Sequence, residues 1–232
     1  MIDVIRSDSR GASDYGWLKS KHTFSIADYH NPAMMGFAKL RVVNEDWIEP
    51  NQGFDTHPHH DMEIVTYMID GALEHKDNMG NGSVIRPGEL QRMTAGTGVL
   101  HSEFNHSAEE QAHLLQIWIL PERDGLEPGY EQKLFSREEK HNQWRLVGSR
   151  DGRDGSLTIH QDLNFYSTIL DAGVELDYAF SGRRRGFVQV VRGAAEINGE
   201  NVVAGDAVAA EDQPKLTIRA TDETELLLFD ML

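Results

Sequence analysis

Short runs of alternating or wholly apolar residues, each ended by glycine, proline or asparagine, recur along most of this 232-residue chain. The clearest runs cover residues 62–69, 112–120 and 186–199. Alternation with a period of two is typical of β-strands, and short strands separated by turn residues indicate a sandwich or a barrel. The Asn198-Gly199 pair predicts a two-residue hairpin turn. The pattern therefore predicts an all-β fold.

A polar and charged stretch from Pro121 to about Arg150 interrupts the strand pattern. Within it, Ser136 is followed three residues later by Glu139, and this capping-box sequence predicts a brief helix over 136–142. We place the connection between two domains in this stretch. The predicted domains are residues 1–135 and residues 136–232, and the second repeats the strand-and-turn pattern of the first.

Two stretches of the first domain carry candidate metal ligands two residues apart, His57 with His59 and His101 with Glu103. Side chains at i and i+2 of a strand point to the same face, so each pair would project from one strand. Two such strands facing each other would bring three imidazoles and one carboxylate to one point. Chance alone would supply roughly half of one His-x-His pair at this histidine content, so the argument depends on both pairs together.

Glu63 competes with Glu103 for the place of the carboxylate ligand, because it follows His59 by four residues and shares its face of the strand. We expect the other histidines near these stretches to lie outside the metal site. They are His60, on the opposite face from His59; His75 and His106, at turns and exposed to solvent; and His113, hydrogen-bonded in the core or orienting a ligand.

A set of imidazoles and one carboxylate without sulfur suits Fe(II), Mn(II), Co(II), Ni(II), Cu(II) or Zn(II), and it does not choose among them. The chain has no cysteine, which excludes disulfides and thiolate ligands. Four protein ligands leave room for a substrate or O2 only at a five- or six-coordinate ion, whereas a closed tetrahedral zinc would be structural.

The charge and the apolar content of the chain argue against some classes of binding partner. The formal net charge of −16 repels phosphate backbones and argues against nucleic-acid binding. The run 183–185 of three arginines is interpreted as a solvated turn rather than a docking site. The longest apolar runs, such as 117–120, are far shorter than the ~20 residues of a membrane span, and the polar N-terminus lacks the apolar core of a signal peptide. We therefore expect a soluble cytoplasmic protein.

With these residues in place, the sequence resembles the pirin family of the cupin superfamily. His57, His59 and Glu63 fit the first cupin motif, although Gly53 lies closer and Gly71 one residue further than that motif asks. The second motif is fitted by Gly98, His101 and Asn105, with Gly96 where cupins usually have proline. Segments similar to pirin motifs follow in the expected order: 22–25, 35–37, 40–42, 53–59, 93–98, 101–103 and 115–118.

The resemblance is dense in the first half of the chain and looser in the second. It implies a bicupin, in which two antiparallel β-barrel domains, each a double-stranded β-helix, face each other. It also implies one divalent metal, for which we favour Fe(II), in the N-terminal domain and none in the C-terminal domain. The implied ligands are His57, His59, His101 and Glu103, which leaves Glu63 outside the set.

Bacterial pirins similar to this chain are associated with quercetin 2,3-dioxygenase activity, whereas animal pirins are better known as iron-dependent transcriptional co-regulators. The resemblance thus implies an enzyme that opens the heterocyclic ring of a flavonol with O2 and releases carbon monoxide. Glu103 would then be a base as well as a ligand. We expect Phe24, Phe54 and Gln116 to line the substrate pocket, with ordinary core packing as an equal alternative for the two phenylalanines.

Two other functions stay open at this point. One is a regulatory module that holds metal and binds a protein partner without turnover. The other is an enzyme with the same site that acts on a different aromatic compound. We expect a monomer in each case.

Overall fold

The computed structural model describes residues 1–232 and is built almost entirely of β-strands. The strands before the helix are β1 (Ile2–Ile5), β2 (Gly11–Asp14), β3 (Leu18–His22), β4 (Leu40–Ile48), β5 (Gly53–His59), β6 (Glu63–Asp70), β7 (Leu73–Asp77), β8 (Gly82–Ile85), β9 (Glu89–Thr94), β10 (Val99–Asn105), β11 (Ala112–Ile119) and β12 (Gly129–Leu134).

The remaining elements are helix α1 (Arg137–Lys140) and the strands β13 (Arg145–Ser149), β14 (Leu157–Thr158), β15 (Leu163–Leu170), β16 (Glu175–Ala179), β17 (Arg185–Arg192), β18 (Ala194–Ile197), β19 (Glu200–Val203), β20 (Ala207–Ala210), β21 (Lys215–Ala220) and β22 (Thr224–Met231). Two short 3-10 turns lie at Ser7–Ser9 and Arg153–Gly155. None of the helical segments has the length and hydropathy required to cross a membrane.

The chain forms two compact units. The N-terminal unit comprises residues 11–134 and 157–161, and the C-terminal unit comprises residues 1–10, 135–156 and 162–232. The sequence-based bounds 1–135 and 136–232 assign residues 1–10, 135 and 157–161 the other way round. The first ten residues belong to the C-terminal unit because β1 pairs with β20 there, an association that no local pattern reveals.

Two antiparallel sheets build the N-terminal unit, with the strand orders β12-β9-β6-β11-β4-β3-β2 and β5-β10-β7-β8. Apolar side chains from both sheets share one core, which includes Ile48, Met68, Leu73, Ile85 and Leu114. Strands β6 and β11, at the middle of the longer sheet, are buried along most of their length. This architecture agrees with the predicted all-β cupin fold.

The strand that carries the first pair of candidate ligands is β5, at one edge of the four-stranded sheet. Its first residue, Gly53, packs so closely on β10 that an added Cβ would lie 2.2 Å from the carbonyl oxygen of Glu103. Near its other end, the exposed Pro58 separates His57 from His59. Glycine therefore permits the close approach of β5 to its neighbour, and proline occupies an edge strand, where its missing N–H is tolerated.

The C-terminal unit also has two antiparallel sheets, one ordered β1-β20-β17-β22-β15-β13 and the other β16-β21-β18-β19. The predicted turn at Asn198-Gly199 is confirmed, because Ile197 pairs with Glu200 and both turn residues have positive φ. The predicted helix is confirmed as α1, whose Ser136 and Glu139 form the capping box.

The interpretation of the arginine run 183–185 as a wholly solvated turn is wrong for its middle residue. The side chain of Arg184 is 11% exposed, and its Nε donates to Oδ1 of the buried Asp230 over 2.7 Å. The hydroxyl of Tyr178 donates to the other carboxylate oxygen of Asp230. Arg184 is thus the counter-ion of a buried carboxylate, whereas Arg183 is exposed.

Candidate metal centre

The pairing of β5 with β10 places the two candidate ligand pairs side by side. His57 lies directly opposite His101, and His59 lies opposite Val99. The register shifts between His101 and Glu103, so that Glu103 faces Phe54. Two positions along β10, from His101 to Glu103, are matched by three along β5, from His57 to Phe54, so the extra residue of this bulge lies on β5.

Three imidazoles converge at this point, with the ligand atoms of His57, His59 and His101 all within 4.8 Å of one another. Nε2 of His57 lies 3.0 Å from Nε2 of His101. Nδ1 of His57 donates to the carbonyl oxygen of Asp55 over 2.7 Å, so Nε2 of the neutral ring carries the lone pair. Two ligand nitrogens about 2.1 Å from an ion and at right angles would be about 3.0 Å apart, so the arrangement fits a divalent cation.

Electrostatics favour the neutral rings that metal binding requires. Burial, with the neighbouring His57, lowers the pKa of His59 to about 4. Burial, again followed by His57, lowers the pKa of His101 to about 3. Both rings are therefore unprotonated near neutral pH, and each can offer a lone pair to a cation without first losing a proton.

Glu103 belongs to a second, overlapping group, in which the ligand atoms of His75, His101 and Glu103 all lie within 4.8 Å of one another. Its side chain is held by Nε2 of Gln116, which donates to both carboxylate oxygens at 3.1 and 3.3 Å. Burial raises the pKa of Glu103 to about 7, against the hydrogen bond from Gln116. The set of four ligands stays a prediction.

Glu63, the other candidate carboxylate, is fully buried and belongs to neither group of convergent ligand atoms. Its Oε1 lies 3.1 Å from Nδ1 of His160, and its Oε2 accepts a hydrogen bond from Thr94. Burial raises its pKa, against the charge of Arg92. Glu63 is therefore part of a separate polar cluster with His160, a partner the sequence pattern did not suggest.

The expectation that His75 is exposed at a turn is wrong. His75 lies within β7, its side chain is fully buried, and its Nε2 is 3.1 Å from Oδ2 of Asp77. The signal was available in the alternation of Leu73, His75 and Asp77, which places all three on the inner face. Pairing of β10 with β7 then sets His75 opposite Glu103.

The expectations for the other histidines agree with the structure. The side chains of His60 and His106 are 79% and 47% exposed. His113 stacks on Trp47 with ring centroids 4.5 Å apart, and its Nε2 is 3.0 Å from a carboxylate oxygen of Glu45. These three histidines therefore lie outside the groups of convergent ligand atoms.

The three residues expected to line a substrate pocket occupy different environments. Phe24 is 1% exposed and lies in the core. Phe54 packs edge-on against Trp17, and its ring centroid lies 6.2 Å from that of His57. Gln116 contacts Glu103 directly. Contact of any of the three with a substrate stays a prediction.

A surface groove of about 510 Å³ lies elsewhere in the N-terminal unit, against Lys19, Lys21 and Trp47. None of the residues that line it belongs to the converging ligand groups. The volume of a groove therefore does not identify the chemical site in this protein, whereas the convergence of imidazoles does.

Comparisons with known proteins agree with this geometry. The Pirin family profile matches residues 5–119, and a profile described as the quercetinase C-terminal cupin domain matches residues 146–231. A quercetin 2,3-dioxygenase of Escherichia coli (strain K12) is 46% identical over 231 residues, which cover 100% of this chain and 99% of the relative.

Two solved structures are similar over the whole chain. YhhW from Escherichia coli has a TM-score of 0.97 and 46% identity, covering 100% of this chain and 98% of the other. The bacterial pirin YhhW in complex with nickel(II) has a TM-score of 0.96 and 45% identity, covering 100% and 99%. On the sequence, the fold and the full-length similarity together, the chain belongs to the pirin family of cupin proteins.

Proposed function

We propose that this protein is a metal-dependent dioxygenase that opens the heterocyclic ring of a flavonol such as quercetin with O2 and releases carbon monoxide. The similarity to relatives named quercetin 2,3-dioxygenase over their full length supports a dioxygenase. The choice of a flavonol as substrate is the further step of the proposal.

One observation carries the proposal. Three imidazoles converge on one point, and His101 among them also lies beside the buried carboxylate of Glu103. Residues of this kind, without sulfur, suit a divalent first-row transition metal, and we favour Fe(II). The nickel(II) complex of a pirin 45% identical to this chain supports metal binding by this donor set and leaves the native metal open.

The metal, when bound, supplies a Lewis acid that lowers the pKa of an enolic hydroxyl of the substrate. We assign Glu103 as the base that takes the proton of that hydroxyl. Its carboxylate is buried beside His101 and accepts hydrogen bonds from only two side chains, those of Gln116 and Thr66. Gln116 orients the carboxylate. The Oε1 of Gln116 is buried without a hydrogen-bond partner in the chain, so it can accept from a second substrate hydroxyl.

The overall reaction balances without any further reactant. Both oxygen atoms of O2 enter the ring-opened ester, and one ring carbon leaves with its own oxygen as carbon monoxide. O2 is the oxidant, and no external reductant is required. The protein must therefore hold the substrate and exclude water rather than supply electrons.

The test is aerobic incubation of the metal-reconstituted protein with quercetin, following loss of the flavonol absorbance and release of carbon monoxide. We expect Glu103→Gln to lower turnover far more than metal content, because an amide cannot accept the proton. Glu63→Gln, a change at a buried glutamate outside both ligand groups, is the matched control and should keep turnover.

Absence of turnover with every first-row metal, in protein shown to hold the metal, would contradict the dioxygenase. It would leave a module that holds metal and acts by binding a protein partner. Turnover of another aromatic enol but not of quercetin would keep the reaction class and replace the substrate.

A further inference from the structure

The side chains of His75 and Asp77 are both fully buried beside the converging imidazoles, and neither belongs to the proposed ligand set. We propose that these two residues position His101 through a hydrogen-bonded chain, in which Asp77 accepts from His75 and His75 accepts from His101. Nε2 of His101 is thereby left with its lone pair directed at the metal. This inference rests on the metal site of the proposed function and adds two residues to it.

The first link is the Asp77 carboxylate, which is fixed by the turn that follows it. Its Oδ1 accepts from the backbone N–H groups of Met79 and Asn81, at 2.9 and 3.0 Å. Its Oδ2 accepts from the side-chain amide of Asn81 at 2.8 Å and faces Nε2 of His75 at 3.1 Å. A carboxylate held by this many donors keeps its charge and its direction.

The second link is the ring of His75, and Asp77 determines which of its two nitrogens carries the hydrogen. Because a carboxylate only accepts, Nε2 of His75 carries the hydrogen, and Nδ1 of the neutral ring carries the lone pair. Nε2 of Gln91 lies 3.4 Å from Nδ1 of His75 and agrees with a lone pair there, which Gln91 shares with the His101 donor. The ring of Tyr130 packs against the imidazole at 4.9 Å and holds its plane.

The third link is the contact between the two imidazoles, Nδ1 of His101 lying 3.5 Å from Nδ1 of His75. Because His75 offers a lone pair there, His101 donates its Nδ1–H. Its Nε2, 3.0 Å from Nε2 of His57, is then the unprotonated atom. His57 has the same arrangement by a shorter route, since its Nδ1–H is donated to a backbone carbonyl. Such partners of ligating histidines fix ring orientation and strengthen the donor atom.

The same atoms permit another arrangement, in which His75 is itself a ligand together with His101 and Glu103. In that case His101 would bind through Nδ1, and its Nε2 would be turned from the ion toward His57. The positioning role uses all three convergent imidazoles and is the one we assign. The two arrangements differ in the number of imidazoles bound to the metal.

The test uses the full-length protein loaded with Co(II), which gives strongly shifted proton NMR signals for ligand imidazoles. In Asp77→Asn, the backbone donors keep the amide oxygen at the Oδ1 position, so the amide NH2 faces His75. His75 must then accept at Nε2 and carry its hydrogen on Nδ1, which points at His101. We expect Co(II) affinity, measured by chelator competition, to fall roughly 10–100-fold and the shifted exchangeable Nδ1–H signal of His101 to disappear.

Two further variants separate positioning from folding. His75→Leu should weaken Co(II) binding similarly, whereas His75→Asn, whose amide oxygen can take the place of Nδ1, should restore part of the affinity. The exposed pair His141 and Asp171 of the C-terminal unit offers matched controls. His141→Leu and Asp171→Asn should leave both Co(II) affinity and the NMR signals unchanged.

The inference would be overturned if Asp77→Asn left both the Co(II) affinity and the exchangeable signal unchanged. It would also be overturned if His75→Leu lost one metal-bound imidazole. If His75→Leu does not fold, Asp77→Asn and His75→Asn decide the matter. Wild-type protein that binds Co(II) and does not turn over quercetin would refute the proposed function alone. Wild-type protein that binds no metal would refute both.

Discussion

Gln116 on β11 donates its side-chain amide to both carboxylate oxygens of Glu103 on β10, at 3.1 and 3.3 Å. The other side chain that donates to Glu103 is that of Thr66, whose hydroxyl lies 3.5 Å from Oε1. The orientation of the Glu103 carboxylate thus depends mainly on a residue of the opposite sheet.

Replacing Gln116 by leucine should therefore lower quercetin turnover by roughly 10–100-fold while most of the bound metal is retained, because Glu103 loses its main donor. Metal content and kcat of the same preparation check this. Gln111→Leu is the control, since Gln111 also donates to a glutamate, Glu49, but at the surface. Equal kcat values for the two variants would show that Gln116 does not orient a catalytic carboxylate.

Gly53→Ala should destabilise the protein by about 1–3 kcal/mol, because the new Cβ would overlap the backbone of β10 and force β5 away from it. His57 would move with β5, so metal affinity should fall as well. Urea unfolding and a metal titration measure the two effects. Gly82→Ala in the same sheet meets no atom within 4 Å and should change stability by less than about 0.5 kcal/mol.

The raised pKa of Glu63 predicts how the stability of the protein depends on pH. Burial raises this pKa above 4.5, so the folded chain holds the proton more tightly than the unfolded chain. Between 4.5 and the raised value the native state binds more protons, and its stability falls as pH rises. The free energy of unfolding of the wild type relative to Glu63→Gln should therefore decline as pH is raised above 4.5 and then level off.

Urea unfolding at a series of pH values gives this difference directly. Glu74→Gln provides a control of opposite sign, since a hydrogen bond from Lys76 lowers the pKa of Glu74. Its contribution is present above the unfolded pKa and is lost as the solution becomes more acidic. A flat difference curve for Glu63→Gln would refute the assignment of a raised pKa.

In the C-terminal unit, Arg184→Met should lower stability by about 3–5 kcal/mol, because Asp230 would be left buried without its counter-ion. Arg183→Met changes an exposed arginine one residue earlier and should have an effect of less than about 0.5 kcal/mol. Thermal or urea unfolding of both variants provides the measurement. Similar stabilities would mean that Tyr178 and Asn164 satisfy Asp230 without Arg184.

Features determined by neighbours in the sequence were predictable. The run 62–69 corresponds to β6 at 63–70, and the run 112–120 to β11, because alternation and turn residues act locally. The capping box at Ser136 and the hairpin turn at Asn198 are local for the same reason. The i, i+2 spacing likewise anticipated that His57 and His59 project from one strand.

Features determined by strand pairing were not predictable. The position of His75 opposite Glu103 depends on the register of β7 with β10, which no local pattern specifies. The contact of His160 with Glu63 joins residues 97 positions apart. The bulge of β5 between Phe54 and His57 also arises only when β5 and β10 meet.

The position of β5 at the edge of its sheet has a consequence for solubility. An edge strand has backbone groups that no neighbouring strand pairs, so a strand of another chain can add to it, and β5 is such a strand. Pro58 has no N–H to offer such a strand. The proline between the two histidines thus protects the ligand-bearing edge from intermolecular sheet growth, and its replacement by a residue with an N–H would favour aggregation.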